Sequence, residues 1–518
     1  MARGCGYNCS ERPEYIEFDA DITGPGVLVG YIASAGIVVV LISVHYFLAY
    51  QPTLDPFRDK NDVPSPRAVP FRPNRVDLMI LRFCRRTPEG DTTLPTRSRW
   101  SYLNAPLIEC VLTMSDLQLA TGIAILTSGY TQLTCGLSCF HWSVIGRLAW
   151  FSSLTHLSCL TLLRNYLYNR KPKRQWRLLA MLVLNIMLIT ALVPTGNSCF
   201  GLYFDSLPVD YAICHFSVPS SSSGPQFASM LVLVLLVGLG FFFRVIKLHR
   251  PLAIFVIEKL RKNLSDRARR PLWVLYRWRN VTSGEQSWLG TFLYYPALAL
   301  FLTIRVTLDH LSSMAFEVYW LIASFLVGLF GFLRDVNILF PDGSFNEFFQ
   351  DTEDNTWSFG QIMPIALLAV PLIHIIETLY TVRGQKTAFA LDVPSPRASM
   401  TVCSPINDPD LHPDEDYYFK STALKAGSVY IFICEIGLCA WFVVGSSIST
   451  VLIMAGAIRT SWLVFPAGLW AVILVSFRID RISAREGARY WPALLQTANV
   501  VFFAGVSAVL MFMVSTIY

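Results

Sequence analysis

The stretch Gly26–Tyr50 reads GVLVGYIASAGIVVVLISVHYFLAY and contains no Asp, Glu, Lys or Arg. A helix needs about 20 consecutive apolar residues to cross a hydrocarbon core of roughly 30 Å. This run is long enough to cross, too long for the apolar part of a cleavable signal, and without an obvious small-residue cleavage site. We therefore predict a first transmembrane helix that is retained in the mature chain.

The composition of the whole chain extends this prediction. Of the 518 residues, 53% are hydrophobic and 15% are charged, and the mean hydropathy is +0.46. These values exclude an ordinary soluble domain, and continuous apolar runs favour helices over the alternating strands of a barrel. We predict an all-α, polytopic transmembrane helix bundle. Its clear spans are Gly26–Tyr50, Thr113–Gly136, Phe140–Leu163, Trp176–Thr195, Phe227–Val245, Phe359–Val382, Leu424–Gly445, Thr450–Phe477 and Trp491–Tyr518.

The basic residues of the loops predict which way the first spans run. Asn165–Gln175 and Arg244–Ser287 are strongly basic, whereas Asn197–Gly224 contains no Lys or Arg. Basic loops favour the cytosolic side of a membrane. We therefore expect the N-terminus outside and Gln51–Trp100 in the cytosol.

Two further apolar runs, Trp288–Leu308 and Ser312–Leu333, decide the span count. The segment Asn337–Ser358 is acidic, which fits the outer side, and Arg478–Arg489 is rich in arginine, which favours the cytosol. Both placements hold only if the chain crosses the membrane once between Ser287 and Asn337. We predict that one run, preferably Trp288–Leu308, is interfacial or re-entrant. This gives ten spans with both ends outside, or eleven if both runs cross.

These assignments divide the chain into four regions. They are an extracytoplasmic N-terminus (1–25), a first bundle of five spans (26–245) with cytosolic loops 51–100 and 165–175, a basic cytosolic loop (246–287), and a second bundle (288–518) with a Pro-rich acidic loop (383–423).

The heptapeptide DVPSPRA occurs at Asp62–Ala68 and again at Asp392–Ala398. The ten-span topology places both copies in the cytosol. Ser65 and Ser395, each followed by Pro and Arg, are candidate phosphorylation sites for proline-directed kinases. The alternative is that two Pro- and Ser-containing linkers drifted to the same composition.

Six cysteines fall on the expected outer side, where an oxidising compartment would let them pair. Cys199 and Cys214 bracket one outer loop and are the best disulfide candidate, while Cys135 and Cys139 are equally well explained as buried thiols.

Two modification sites also follow from the topology. Asn8 begins an N-glycosylation motif on the outer side. Cys84, in the basic sequence RFCRR, is a candidate for palmitoylation.

Ionisable residues within apolar spans are costly and therefore mark candidate functional positions. Antiparallel pairing of the second and third spans brings Asp116 within about one turn of His156, and places Arg147 near the level of Gly129 and Tyr130.

The second half of the chain offers a similar set. Glu435 is expected to pair with Arg459 on the next span, and His374 and Glu377 share one face of a helix that two prolines would bend. The functional interpretation is a polar pathway along the bundle axis. The alternative is a set of neutralised pairs that hold helices in register. The candidate residues are Asp116, Arg147, His156, His374, Glu377, Glu435 and Arg459.

Several motifs do not occur in the sequence. There is no GxxxxGK[ST] for nucleotide phosphates, no HExxH for zinc and no GxSxG nucleophile elbow. We therefore predict no metal and no cofactor. The net charge of +6 comes from the cytosolic loops and needs only anionic lipid headgroups as partners, not nucleic acid. The oligomeric state is left open.

Three stretches carry a resemblance to a known group of proteins. They are DADITGPGVLVGY at Asp19–Tyr31, the segment Met114–Leu167, and ALVPTGN at Ala191–Asn197. They resemble a large group of uncharacterised multi-pass integral membrane proteins of filamentous fungi, over roughly the first two fifths of the chain. The resemblance implies a fungal source and a membrane location, in the plasma membrane or an endomembrane. Some members resemble products encoded beside secondary-metabolite pathways, and no catalytic residue carries over.

The leading hypothesis is a membrane protein that binds or transports a small molecule, in a fungal secondary-metabolite pathway. The first alternative is a membrane-embedded enzyme or accessory subunit, cyclase-like, with Asp116 or Glu435 as the proton donor. The second is a receptor or scaffold, based on the disulfide-capable outer loops and the phosphorylatable cytosolic ones.

Overall fold

The computed structural model describes residues 7–10, 13, 19–52, 73–85, 104–162, 171–197, 210–217, 225–256, 261–280, 288–339, 359–389, 422–444, 464–480 and 491–517. The regular structure of these residues is helical throughout, with a single isolated bridge between Ser138 and Tyr211. The all-α class is therefore confirmed.

The helices that the structure describes are α1 (Ala20–Thr23), α2 (Pro25–Leu48), α3 (Arg75–Arg85), α4 (Asn104–Gln132), α5 (Cys139–Leu162), α6 (Lys171–Leu192), α7 (Pro225–Leu248), α8 (Arg250–Ala253), α9 (Arg261–Asn280), α10 (Trp288–Ser312), α11 (Met314–Leu339), α12 (Phe359–Phe389), α13 (Thr422–Val444), α14 (464–480) and α15 (Trp491–Ile517). Most of the predicted spans coincide with helices, but α4 begins at Asn104 and not at Thr113, and α3 and α9 lie within predicted cytosolic loops.

Seven helices in the described part of the chain are long and apolar enough to cross a membrane. These segments are Ala20–Leu48, Pro106–Cys135, Arg174–Gly196, Met230–Leu248, Gly290–Ser312, Met314–Leu333 and Ala493–Leu510. This composition is that of a multi-pass membrane protein, while the number of spans that cross stays a prediction.

Helix α5 lies at the centre of the first bundle. It packs against α1, α2, α4, α6, α7 and α11, and every residue from Leu148 to Leu160 is buried. A short 3₁₀ turn and Gly136, whose φ of 89° is in the left-handed region, reverse the chain between α4 and α5. Because α5 has no free face, it is not restricted to the apolar residues that lipid contact requires. It is long enough to cross but is not among the seven apolar helices.

The bundle has two distinguishable ends. Helices α1 and α12 begin at one end, where a Cβ on Gly360 would meet Asp21. We call this the α1 end. The opposite end, which we call the α3 end, is where α2 and α7 finish and where α3 packs. There the hydroxyl of Tyr46, near the end of α2, donates to Asp77 of α3. Lys247, in the last turn of α7, donates to Glu317 in the first turn of α11. Helix α11 starts at the α3 end and runs antiparallel to α5 towards the α1 end.

Glycines bring α2 and α12 close together. A Cβ on Gly26 would meet the backbone of Gln361, and one on Gly30 would meet the side chain of Pro364. Small residues spaced by four positions let two helix backbones approach in a membrane, where packing drives association. The two helices run parallel from the α1 end, and α12 continues to Phe389, beyond the loop start predicted at residue 383.

The two apolar runs that decide the span count are both continuous helices, α10 and α11, joined at Ser313. Helix α10 packs along α9, and α11 packs along α2 and α5, while both helices contact α13 and α3. Helix α11 therefore connects the first bundle to the helices that surround α13. Both are long and apolar enough to cross, so an interfacial α10 stays a prediction.

The predicted disulfide between Cys199 and Cys214 is wrong. Cys214 is bonded to Cys9, with their Cα atoms 5.8 Å apart. Cys135 is also disulfide-bonded, and Cys139 is a buried thiol. Sequence proximity favoured the wrong partner, because 205 residues separate the two cysteines that meet at the α1 end.

The candidate modification sites are only partly described. Asn8 is exposed, and its side-chain oxygen accepts the backbone N–H of Ser10. Cys84 is exposed on α3. Ser65 and Ser395, with both copies of the heptapeptide, lie outside the described residues.

Candidate functional site

The polar side chains of α5 contact α4 and α6 in several layers. Apolar packing alone would not require hydroxyl, imidazole and amide groups at the centre of a bundle, where each must find a hydrogen-bond partner. We define the α4–α5–α6 polar cluster as Ser115, Asp116, Gln118, Ser152, Ser153, His156, Arg177 and Asn185.

An ion pair between α4 and α6 forms one edge of the cluster. Arg177 Nε donates to Asp116 Oδ1 at 2.9 Å and its terminal nitrogen donates to Oδ2 at 2.6 Å. The Arg177 side chain is 9% exposed and that of Asp116 is 41% exposed. This two-point geometry fixes both the distance and the relative rotation of the two side chains.

A hydroxyl–imidazole pair lies beside this ion pair. The Oγ of Ser115 is 2.5 Å from Nδ1 of His156, and both side chains are fully buried. The predicted proximity of Asp116 and His156 is therefore confirmed, but their direct pairing is wrong. Asp116 binds Arg177, and the neighbouring residue Ser115 binds His156, because Asp116 lies one position round the helix, towards α6.

The next layer contains two side-chain amides. Ser152 donates to the backbone carbonyl of Gln118, and Ser153 donates to Oδ1 of Asn185 at 3.1 Å. The backbones of α4 and α5 are close here because position 122 is glycine, where a Cβ would meet Ser152.

Two polar atoms of this layer have no hydrogen-bond partner within the described residues. They are Oε1 of Gln118, an acceptor, and Nδ2 of Asn185, a donor. The two residues are 9% and 3% exposed. A buried polar group left without a partner costs about 1–3 kcal/mol. This layer of the cluster therefore retains one acceptor and one donor suited to a polar molecule.

Arg147 is not where the sequence reasoning expected it. Its guanidinium lies against α11, where a Cβ on Gly331 would be 2.8 Å from it. The hydroxyl of Tyr130 instead donates to the backbone carbonyl of Met187. Arg147 leaves the helix on the side facing α11, not the side facing α4.

Glu435 belongs to a separate site. Its Oε1 is 2.6 Å from Nε2 of His310, and both side chains are buried. The described partner of Glu435 is thus His310, at the end of α10, and not the expected Arg459. Arg459 lies outside the described residues. Helix α13, which carries Glu435, packs on α10, α11 and α15, none of which contributes a residue to the α4–α5–α6 polar cluster.

Of the last predicted pair, Glu377 is exposed on α12, and the side chain of His374 is outside the described part of the chain. Among the described candidates, Asp116 and His156 lie in one cluster and Glu435 lies in another, on different helices. A single axial pathway stays a prediction.

The sequence reasoning missed Ser115, Arg177 and His310. Arg177 is the second residue of the predicted span Trp176–Thr195 and directly follows a run of basic loop residues, so it does not stand out as a charge inside the membrane. Ser115 and the two amides carry no charge, so a search for ionisable residues passes over them. His310 lies just beyond the predicted apolar run Trp288–Leu308, so a search within the spans does not include it.

No group of three or more His, Cys, Asp or Glu side chains suited to a metal ion occurs within the described ranges.

Comparisons with protein-family models, with curated proteins and with solved structures each found no match to this chain.

Proposed function

We propose that this chain is a multi-pass membrane protein that binds a small polar molecule at the α4–α5–α6 polar cluster and moves it across the membrane. The observation that carries the proposal is the unpaired acceptor of Gln118 and donor of Asn185, both buried against the central helix α5. A bound molecule with one donor and one acceptor would satisfy both groups.

Holding helices in register is the competing role for these residues. The Ser115–His156 and Asp116–Arg177 contacts are sufficient for it, since interhelical polar contacts in membranes contribute about 0.6–1.7 kcal/mol each. The unpaired atoms of Gln118 and Asn185 do not help to hold the helices in register. An apolar side chain of similar size would avoid the free-energy cost of burying a polar atom without a hydrogen-bond partner. Their presence supports ligand recognition.

The resemblance of the first two fifths of the chain suggests the setting. We propose a fungal protein of the plasma membrane or an endomembrane, whose cargo is a metabolite of a secondary pathway. The apolar exterior of the seven spanning-type helices and the polar centre at α5 agree with such a role.

Metabolite profiling of a deletion strain tests this proposal. Loss of export predicts that a finished product is retained inside the cells and is depleted in the medium. Re-expression of Gln118→Leu or Asn185→Leu should fail to restore export while the protein is made and located normally. Ser158→Ala is the matched control, because this buried hydroxyl on the central helix α5 donates to the carbonyl of Leu154 within its own helix and does not belong to the cluster.

If the two leucine variants restore export fully, the cluster is structural and the proposal is wrong. If both variants reduce protein abundance, the thermal stability of the purified proteins separates the two roles. A binding role requires that Gln118→Leu be at least as stable as the wild type, because it removes an unpaired buried acceptor. Asn185→Leu also removes the acceptor of Ser153 and is expected to be less stable in either case.

A second candidate function rests on the His310–Glu435 contact. A buried carboxyl that shares a hydrogen bond with an imidazole can pass a proton to a substrate, as the enzyme or accessory-subunit hypothesis requires. Asp116 is less suited to that role, since both its oxygens accept from Arg177. Accumulation of an unconverted precursor in the deletion strain and in Glu435→Gln would favour the enzyme over the transporter.

A further inference from the structure

Helix α9 has two different faces. It holds seven basic residues against one acid, and its residues alternate between packed and exposed with the period of a helix. Leu272, Leu275 and Tyr276 pack on the apolar cluster formed with α10 and α13. The opposite face is exposed and consists of Asn263, Asp266, Arg267, Arg270, Pro271, Trp273, Val274, Arg277 and Trp278.

The packed face is held to α10 by Arg279. Its guanidinium lies 4.8 Å from the ring centre of Tyr276 and 4.9 Å from that of Tyr294, and donates to the hydroxyl of Tyr295 at 3.0 Å. A Cβ on Gly290 would lie 2.8 Å from the Cα of Arg279, so the two helices are in close contact. The orientation of the exposed face is therefore fixed by the packing of α9 on α10.

The exposed face combines aromatic and cationic groups. Trp273, Val274 and Trp278 are 52%, 61% and 46% exposed. The guanidinium of Arg277 lies 5.3 Å from the ring centre of Trp273. Tryptophan and arginine on one helix face are typical of helices that lie at a membrane surface, where the ring enters the headgroup layer and the guanidinium meets phosphate.

We propose that the exposed face of α9 is a binding surface for anionic phospholipid headgroups of the membrane that holds the protein. Helix α10, along which α9 packs, is apolar enough to lie in a membrane. Seven basic residues exclude α9 itself from the hydrocarbon core. With α10 interfacial, as the sequence predicts, α9 packed along it lies in the headgroup layer, whose negative charge complements that of α9.

This surface is independent of the proposed transport function, since it involves none of the residues of the α4–α5–α6 polar cluster. Two other partners carry negative charge: a nucleic acid and an acidic soluble protein. The two half-exposed tryptophans and Val274 argue against a nucleic acid, since a phosphate backbone is bound through charge. The packing of α9 along the apolar helix α10 favours the lipid over a soluble protein, because it holds this face at the membrane.

Two measurements on the full chain in nanodiscs test the proposal. The first places an environment-sensitive fluorophore on Val274→Cys, in a background where the exposed Cys84 is Ser. We expect quenching by phospholipids that carry a nitroxide at the headgroup, and protection from aqueous iodide. Asn263→Cys, at the other end of the same face, reports whether the whole helix lies in the headgroup layer.

The second measurement compares the association of spin-labelled phosphatidylserine and phosphatidylcholine with the protein. In Arg267→Gln/Arg270→Gln/Arg277→Gln, the preference for phosphatidylserine should fall by about fivefold or more, because one surface cation contributes about a fivefold factor. The matched control replaces the same three arginines by Lys, which keeps the charge and should keep the preference.

Each result supports or overturns the assignment. Iodide quenching at position 274 without nitroxide quenching places the face in water and overturns it, and so does an unchanged phosphatidylserine preference in the Gln variant. In either case a soluble acidic partner becomes the better explanation. A variant that loses its fold is recognised by gel filtration, and the Val274 probe then decides alone.

Discussion

The carboxylate of Asp77 accepts the backbone N–H of Met314 at 3.0 Å, although 237 residues separate them. Its other oxygen accepts the N–H of Ala315, at 3.0 Å, and the hydroxyl of Tyr46. The first backbone N–H groups of a helix have no partner within the helix and favour negative charge. Asp77 therefore supplies, from α3, the N-terminal cap of α11.

Removal of this cap should destabilise the protein. In Asp77→Ala, two buried N–H groups and one hydroxyl lose their acceptor, and we expect the free energy of unfolding to fall by about 1–3 kcal/mol. Denaturation of the purified protein in mixed detergent micelles measures the change. Asp266→Ala, which removes a half-exposed carboxylate with an ion pair of 3.9 Å, should change it little. Equal effects of the two substitutions would contradict a capping role.

The same residue predicts a pH dependence. Burial raises the pKa of Asp77 above the value of about 3.9 in an unfolded chain, against the opposing effect of its hydrogen bonds from Met314, Ala315 and Tyr46. The folded state then binds the proton more tightly, so the contribution of Asp77 is largest at low pH and is lost as the pH rises through the folded pKa.

Unfolding measurements on the wild type and Asp77→Asn across this pH range provide the test. The stability difference, wild type minus variant, should decrease from about pH 4 upwards. An increase with pH would mean that the hydrogen-bond donors outweigh desolvation.

Close packing of α2 and α12 depends on Gly30. A methyl group there would overlap the side chain of Pro364, so we expect Gly30→Ala to lower the free energy of unfolding by about 1–3 kcal/mol. Gly238→Ala is the matched control, since its methyl group would meet no described atom within 4 Å. Thermal denaturation in detergent compares the two, and a destabilised control with an unaffected Gly30→Ala would refute the packing argument.

The Cys9–Cys214 disulfide gives a direct chemical prediction. Peptide mapping without reduction should recover a fragment linking Cys9 to Cys214, and Cys214→Ser should lower stability by about 2–5 kcal/mol. Cys84→Ser, at an exposed thiol, is the control. Recovery of a Cys199–Cys214 peptide would instead restore the pairing expected from the sequence.

The helices could be predicted from the sequence because their apolar runs are long. Even α5, which is not among the seven apolar helices, was recognised as Phe140–Leu163, and the hairpin register brought Asp116 and His156 to the same level. Partner choice was harder, since it depends on the rotation of each helix. Ser115 and Asp116 are neighbours on α4 but point in different directions round the helix. His156 of α5 therefore pairs with Ser115, and Asp116 pairs with Arg177 of α6.

Contacts between distant segments were beyond sequence reasoning for a different reason. Cys9 with Cys214, Asp77 with Met314 and His310 with Glu435 join parts of the chain that no periodicity relates. The Gly26 and Gly30 pair carries a local signal for close helix packing, but only the structure identifies α12 as the partner.

The full enclosure of α5 also has a consequence for biogenesis. A segment containing Ser152, Ser153 and His156 gains little from entering lipid alone, because insertion of a single helix depends on its own residues. Enclosed by α2, α4, α6 and α11, it meets almost no lipid in the finished protein. We therefore expect the α4–α5 hairpin to be retained at the insertion machinery until α11 has been made, and then to leave it together with the helices that enclose α5.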